Sequence, residues 1–179
     1  MKVIARFILY TLFGWKTVGS FPVNLKKYVL IGAPHTHWLD FMVGVGLKFA
    51  EKLPINYIGK ASLFRPPFGF IFRWLGGTPI DRSKSNNKVN AIVNIFNSKE
   101  NFILALSPEG TRKKVTEWKT GFYYIAKGAN VPVVMLTFNF KDKEIKISEP
   151  YYLTDNMEKD FNFFYKFYEG VVGKISKNS

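Results

Sequence analysis

The sequence predicts an α/β fold: a single domain with a largely parallel central sheet flanked by helices. Three observations carry that reading. Short apolar runs of strand type alternate with helical patterns along the chain, the order expected of βαβ units. One run, Val131 to Phe138, is apolar at nearly every position, as in a strand buried on both faces. A length of 179 residues with 47% hydrophobic content suits one domain with a real core.

The elements follow in order. Phe7 to Trp15 is uncharged and bracketed by Lys2, Arg6 and Lys16. It falls short of the roughly 20 apolar residues that a spanning helix needs. Three readings remain open: a helix lying in the bilayer interface, an ordinary first helix of the core, or a signal peptide cleaved near Val18-Gly19-Ser20. We take residues 1–18 as a membrane-interface helix and 19–179 as the main domain. Lys27 to Ile31 reads as a buried strand that ends at Gly32 and is stopped by Pro34. Trp38 to Phe49 carries small and apolar residues at helical spacing. Pro54 precedes a strand over Ile55 to Ile58. Ser62 to Leu75 reads as two short helices broken by Pro66-Pro67, and Gly76-Gly77 as a turn before a short strand over Thr78 to Ile80. A polar loop, Ser83 to Lys88, leads into a helix over Val89 to Asn97. Phe102 to Leu106 is a strand, Thr120 to Ala129 a helix, Val131 to Phe138 the buried strand, and Glu144 to Ile147 an edge strand. From Met157 to Lys177, the residues Phe161, Phe164, Tyr165, Tyr168, Val172 and Ile175 share one helical face.

Composition narrows the function classes. The formal charge is +13, which favours a polyanionic partner: nucleic acid, anionic lipid or a phosphorylated substrate. Aromatic residues make up 17% of the chain, and rings among many lysines suit a membrane interface. The chain has no Cys, which excludes a disulfide scaffold, a thiolate metal site and a cysteine nucleophile. No Gly-x-Ser-x-Gly elbow is present either.

Two motifs carry chemistry. The first is Pro34-His35-Thr36-His37-Trp38-Leu39-Asp40 and the second Ser107-Pro108-Glu109-Gly110-Thr111-Arg112. Residues five apart on one helix lie about 140° from each other, so His35 and Asp40 do not meet if both are helical but can meet if His35 sits in the loop before the helix. A carboxylate bonded to one imidazole nitrogen fixes the tautomer and leaves the other nitrogen to take a proton. His37 competes for the same carboxylate. The second motif follows a strand, where α/β sheets bind ligands; Gly110 permits close backbone approach and Arg112 can grip a phosphate with two hydrogen bonds. The apolar stretch Phe64 to Leu75 is open to three roles: core packing, a wall of an acyl channel, or a face dipping into lipid.

Between these motifs stands Gly76-Gly77-Thr78-Pro79-Ile80-Asp81-Arg82, and after them come Trp118-Lys119-Thr120-Gly121 and Val131-Pro132-Val133-Val134. In this order the set resembles the glycerolipid acyltransferases, the family of 1-acylglycerol-3-phosphate and related lysophospholipid acyltransferases. The resemblance spans about residues 30 to 138. It implies that residues 19–179 are an acyltransferase domain. It implies that His35 is the general base and Asp40 its orienting partner, without an acyl-enzyme. Arg82, Arg112 and Lys119 would bind the acceptor phosphate, and Glu109, Gly110 and Thr111 would shape the acceptor pocket. Glu109 either anchors Arg112 or bonds the acceptor. Backbone N–H groups at the start of the helix after His35 are candidates for the oxyanion. The implied reaction moves a fatty acyl group from an acyl-carrier-protein or coenzyme A thioester to a hydroxyl of a lysophospholipid. No cofactor and no metal are implied, since the thioester is a co-substrate. The implied setting is peripheral, on the cytoplasmic face of an anionic membrane, with no nucleic acid as partner. The competing readings are an acyltransferase with another lipid acceptor and a non-catalytic basic module that binds membranes or nucleic acid.

Overall fold

A computed structural model describes residues 1–80 and 88–179. Five parallel strands form the central sheet: β2 (Lys27–Ala33), β3 (Ile55–Lys60), β4 (Gly77–Ile80), β5 (Phe102–Leu106) and β6 (Val133–Thr137). Their order across the sheet is β4-β3-β5-β2-β6. In register, Val29 lies beside Leu104 on one side and Val133 on the other, so β2 is central and flanked twice. Each side of such a strand must be apolar. Val29, Leu30 and Ile31 and all five residues of β6 are accordingly buried.

The connections divide between the two faces. From β2 the chain crosses into α2 (Leu39–Glu51), whose Val43, Leu47 and Ala50 pack with Leu30, Ile103 and Val134. From β5 it crosses to the other face, where α5 (Gly121–Gly128) packs Phe122, Ile125 and Ala126 with Val29, Leu104 and Met135. The same face holds Ile92 and Phe96 of α4 (Lys88–Ser98) and Phe164 and Tyr168 of α6 (Met157–Tyr168). Neighbouring strands whose connections leave to opposite faces open a crevice at their carboxyl ends. Here those strands are β2 and β5, and the two chemistry-bearing motifs follow them directly.

Among the described residues the expected elements recur with shifts of one or two residues, apart from three differences; of the expected polar loop Ser83 to Lys88, all but Lys88 lies outside the described residues. The terminal helix stops at Tyr168 rather than Lys177; Gly170 turns the chain at φ +75°, a conformation costly for other residues. Beyond it the chain is irregular up to a short 3-10 turn at Ser176–Asn178, so the apolar spacing through Val172 and Ile175 does not mark a continued helix. Glu144 to Lys146 forms β7, but its partner is a strand the sequence did not announce, β1 (Lys16–Val18), joined to it in parallel. Isolated antiparallel bridges also tie Leu136 to Ile147 and Val133 to Tyr151.

The third difference lies at the N-terminus. Residues Lys2–Arg6 form α1, which continues as a π-helical turn over Phe7–Leu12. Leu9 and Trp15 are core residues on the α2 face of the sheet. Arg6 pairs with Glu51 of α2 at 2.6 Å and lies over the Tyr10 ring. Tyr10 donates to the same carboxylate at 2.8 Å. The segment is thus fastened to α2, while Val3, Ile4, Phe7, Leu12 and Phe13 remain exposed. No helix among the described residues is long and apolar enough to cross a membrane.

Candidate active site

His35 lies in the loop between β2 and α2, and Asp40 is the second residue of the helix. In this placement the two residues meet: His35 Nδ1 is 3.0 Å from Asp40 Oδ2. Asp40 is 2% exposed. A carboxylate only accepts hydrogen bonds, so Nδ1 carries the proton and Nε2 presents its lone pair. The same Oδ2 accepts the N–H groups of Thr36 at 2.8 Å and His37 at 2.9 Å. One oxygen therefore holds the loop backbone and the imidazole together. Asp40 Oδ1 is buried without a hydrogen-bond partner among the described residues.

His37 is engaged elsewhere. Its Nδ1 accepts the Leu39 N–H at 3.3 Å and so caps the helix. Its ring lies beside Trp38. The competition for Asp40 is settled in favour of the His35 imidazole.

Glu109 joins the second loop to the first. It is 7% exposed, and its Oε2 accepts the His35 N–H at 2.6 Å and the Ser107 hydroxyl at 3.2 Å. Among the described residues no Glu109–Arg112 contact is present; Glu109 Oε2 is instead anchored to the backbone of His35. Burial pushes the Glu109 carboxyl above its usual range, and the His35 N–H pulls against that shift.

Gly110 adopts φ +65°. A Cβ there would fall 2.9 Å from Lys119 Nζ, so the lysine stem crosses the glycine backbone. The Lys119 N–H in turn donates to Pro108 O at 2.8 Å. Lys119 and Arg112 are exposed, and Thr111 accepts the Lys113 N–H through its hydroxyl. Arg82 lies outside the described residues.

The N–H groups of His35, Thr36, His37 and Leu39 are engaged by Glu109, Asp40 and His37 and so build the dyad; of the donors expected at the start of the helix, Trp38 N–H is not among these.

Two features go beyond the sequence reading. One is an apolar cavity of about 250 Å3 lined by His35, Asp40 and Ser107 and, along α2, by Gly44 and Lys48. Leu75 also lines it, from the stretch for which the sequence left the wall of an acyl channel open as one role. The other is the C-terminal tail. The Ile175 N–H donates to Thr36 Oγ1 at 3.1 Å, and the Asn178 amide donates to Arg112 O at 3.0 Å. Gly173 is in close contact with Thr36, where a Cβ would come within 2.6 Å. The tail thereby touches both motif loops.

The comparisons with known proteins agree with this architecture. The fold is similar to the crystal structure of the 1-acyl-sn-glycerophosphate (LPA) acyltransferase PlsC from Thermotoga maritima, with a TM-score of 0.63 and 18% sequence identity over 93% of this chain and 74% of that one. No curated protein matches the chain by sequence. The family model described as Acyltransferase matches residues 17–139, a stretch that holds His35, Asp40 and the whole Glu109-to-Arg112 loop. With two thirds of its length covered by that match, the chain belongs to the acyltransferase family.

Proposed function

We propose that this acyltransferase moves a fatty acyl group from an acyl thioester, of acyl-carrier protein or coenzyme A, to the hydroxyl of a lysophospholipid, with 1-acylglycerol-3-phosphate as acceptor. One observation carries the reading: the His35–Asp40 pair at 3.0 Å lines an apolar cavity, beside a loop bearing Arg112 and Lys119. A base, an apolar slot and cations are the three things this reaction needs.

In the proposed mechanism His35 Nε2 takes the proton of the acceptor hydroxyl as that oxygen attacks the thioester carbonyl. Asp40 stabilises the imidazolium that forms. Collapse of the tetrahedral intermediate breaks the carbon–sulfur bond, and the imidazolium returns the proton to the leaving thiolate. The acyl group ends on the acceptor oxygen as an ester, with no enzyme-bound ester between. Arg112 and Lys119, with Arg82, hold the acceptor phosphate by charge-assisted hydrogen bonds. Glu109 serves the acceptor pocket through the loop it fixes. No metal or cofactor takes part.

The proposed site of work is an anionic membrane surface, reached peripherally from the cytoplasmic side. The exposed Val3, Ile4, Phe7, Leu12 and Phe13 and a second exposed set, Phe68, Phe70 and Trp74, support contact with lipid. Lys2 and Lys16 add attraction worth roughly 1 kcal/mol per cation near anionic headgroups. The test is incubation of the purified protein with a labelled acyl thioester and either 1-acylglycerol-3-phosphate or its dephosphorylated counterpart. The reading expects diacylated phospholipid from the former and little product from the latter. Equal transfer to both would remove the phosphate from the reading, and transfer to neither would remove the acceptor class.

A further inference from the structure

The tail after α6 crosses the carboxyl end of the sheet. Val172, Ile175 and Asn178 follow one another at three-residue steps, and each meets a different loop. Val172 O accepts the Phe140 N–H at 2.9 Å, in the loop after β6. The Ile175 N–H donates to Thr36 Oγ1 at 3.1 Å, in the loop after β2 that carries His35. The Asn178 amide donates to Arg112 O at 3.0 Å, in the loop after β5. The tail is also tied to itself, since the Gly173 N–H donates to Ser179 Oγ at 2.8 Å. Gly173 is buried against the first loop: a Cβ there would fall 2.6 Å from Thr36 Cγ2 and 3.2 Å from Pro34 Cγ.

The two motif loops depend on that tie to different degrees. The first is held from within, because Asp40 and Glu109 accept the N–H groups of His35, Thr36 and His37. The second is held at its ends. Glu109 is fixed to His35 at one end; at the other the Lys119 N–H donates to Pro108 O and the Trp118 N–H to the Tyr165 hydroxyl. Between those ends, among the described residues, the one hydrogen bond that enters residues 111–117 from outside is that of Asn178 to Arg112 O. The Arg112 side chain is exposed, so its aim depends on the backbone that carries it.

We propose that this tail is a strap that fixes Arg112 relative to His35, with Asn178 as a positioning residue for the acceptor phosphate. The inference rests on the acyl-transfer reading above. The strap bears on Thr36, next to the base, and on Arg112 itself. One short segment, Ile175 to Asn178, thus joins the base loop to the cation loop. The acceptor must span the same two points, with its hydroxyl at His35 Nε2 and its phosphate at Arg112. A strap of fixed length favours an acceptor whose hydroxyl and phosphate stand a fixed number of bonds apart, and it holds the arginine in place before the acceptor arrives.

The test is steady-state transfer from an acyl-coenzyme A donor to 1-acylglycerol-3-phosphate by the full chain, with acceptor KM, donor KM and kcat resolved. Asn178→Leu keeps the size of the side chain and removes the hydrogen-bond donor. It should raise the acceptor KM by roughly three- to tenfold and leave donor KM and kcat within about twofold of wild type. Gly173→Ala presses the tail off Thr36 and should raise the acceptor KM in the same way, so the test survives the misfolding of one variant. The deciding readout is the pairing with Arg112. In an Arg112→Ala background, Asn178→Leu should raise the acceptor KM no further, because the side chain it positions is gone. An equal rise in both backgrounds, an unmoved acceptor KM in either folded variant, or a fall in kcat alone overturns the assignment while transfer itself stands. Absence of transfer by the wild-type protein would overturn the acyl-transfer reading and this inference with it.

Discussion

Two buried aspartates do opposite work in this fold. Asp160 is fully buried on α6 and Asp40 nearly so on α2, and neither forms a salt bridge with Lys or Arg among the described residues. Asp160 is saturated. Its Oδ1 accepts the Tyr151 hydroxyl at 2.8 Å and the Thr154 hydroxyl at 2.8 Å; its Oδ2 accepts the Tyr123 hydroxyl at 3.0 Å and the Thr154 N–H at 3.0 Å. Burial and the Asp160 charge push both Tyr123 and Tyr151 up to about 12, so the hydroxyls stay donors. Asp40 instead gathers three donors on one oxygen and leaves the other without one. A carboxylate closed on all sides fastens α6 and α5 together. One that is half satisfied, with an imidazole among its donors, fits the orienting role proposed for Asp40 beside His35.

The contrast can be broken from either side, and the largest effects should be the cleanest. His35→Ala should abolish acyl transfer, and Asp40→Asn should lower kcat by on the order of 10^3 to 10^4 through loss of tautomer control. Asp160→Ala should do the reverse. It strands two tyrosine hydroxyls and the Thr154 donors in the core, and should cost roughly 3–5 kcal/mol in denaturant unfolding. Activity per folded molecule should stay near wild type. Arg112→Ala should weaken use of a phosphorylated acceptor by about 1.5–3 kcal/mol in kcat/KM, with a neutral acceptor much less affected. Tyr151→Phe should cost about 1 kcal/mol of stability and no activity.

Glu109 supplies the pH arm of the comparison. Its carboxyl is raised by burial, so between the ordinary carboxylate range and its own raised value the folded state binds the extra proton. Across that window its contribution to stability falls as pH rises. Glu109→Gln removes this term and keeps an oxygen for the His35 N–H. The variant should show a flatter unfolding free energy against pH just above the usual carboxylate range, measured by thermal melts in a buffer series.

Much of the fold was legible in the sequence because its signals are local. Pro34, Gly110 and the unbroken apolar run into Leu136 mark where strands end and loops begin, and the α/β alternation follows from them. The His35–Asp40 pairing was legible because its spacing matches the motif of the resembled family and permits contact across a loop–helix junction. What escaped depends on partners distant in sequence. Lys16 to Val18 became a strand because β7 lies beside it, and three residues carry no periodicity of their own. Nothing around Glu109 announced that its partner would be the His35 N–H, 74 positions earlier. The tail from Val171 to Ser179 kept a helical spacing although Gly170 ends the helix, so its contact with Thr36 was hidden behind a false period. The N-terminal run was read by charge and length, which register its exposed face but not that Leu9 and Trp15 point into the core.

The membrane expectation is the smallest of the effects and needs adjusting to that core. Removing residues 1–18 would delete β1, Leu9 and Trp15, so point changes are the better probe. Ile4→Ser with Phe7→Ser should leave the melting curve near wild type and reduce co-flotation with anionic vesicles. Unchanged flotation would assign the lipid contact to Phe68, Phe70 and Trp74 instead.

The most direct test of the central claim is a single-turnover measurement of acyl transfer from a labelled thioester to 1-acylglycerol-3-phosphate by His35→Ala, beside Asp160→Asn as the stability control. The account predicts no ester product from His35→Ala at a wild-type melting temperature, and product at the wild-type rate from folded Asp160→Asn. Product from His35→Ala at the wild-type rate, or its loss only in His37→Ala, would contradict the assignment of His35 as the base.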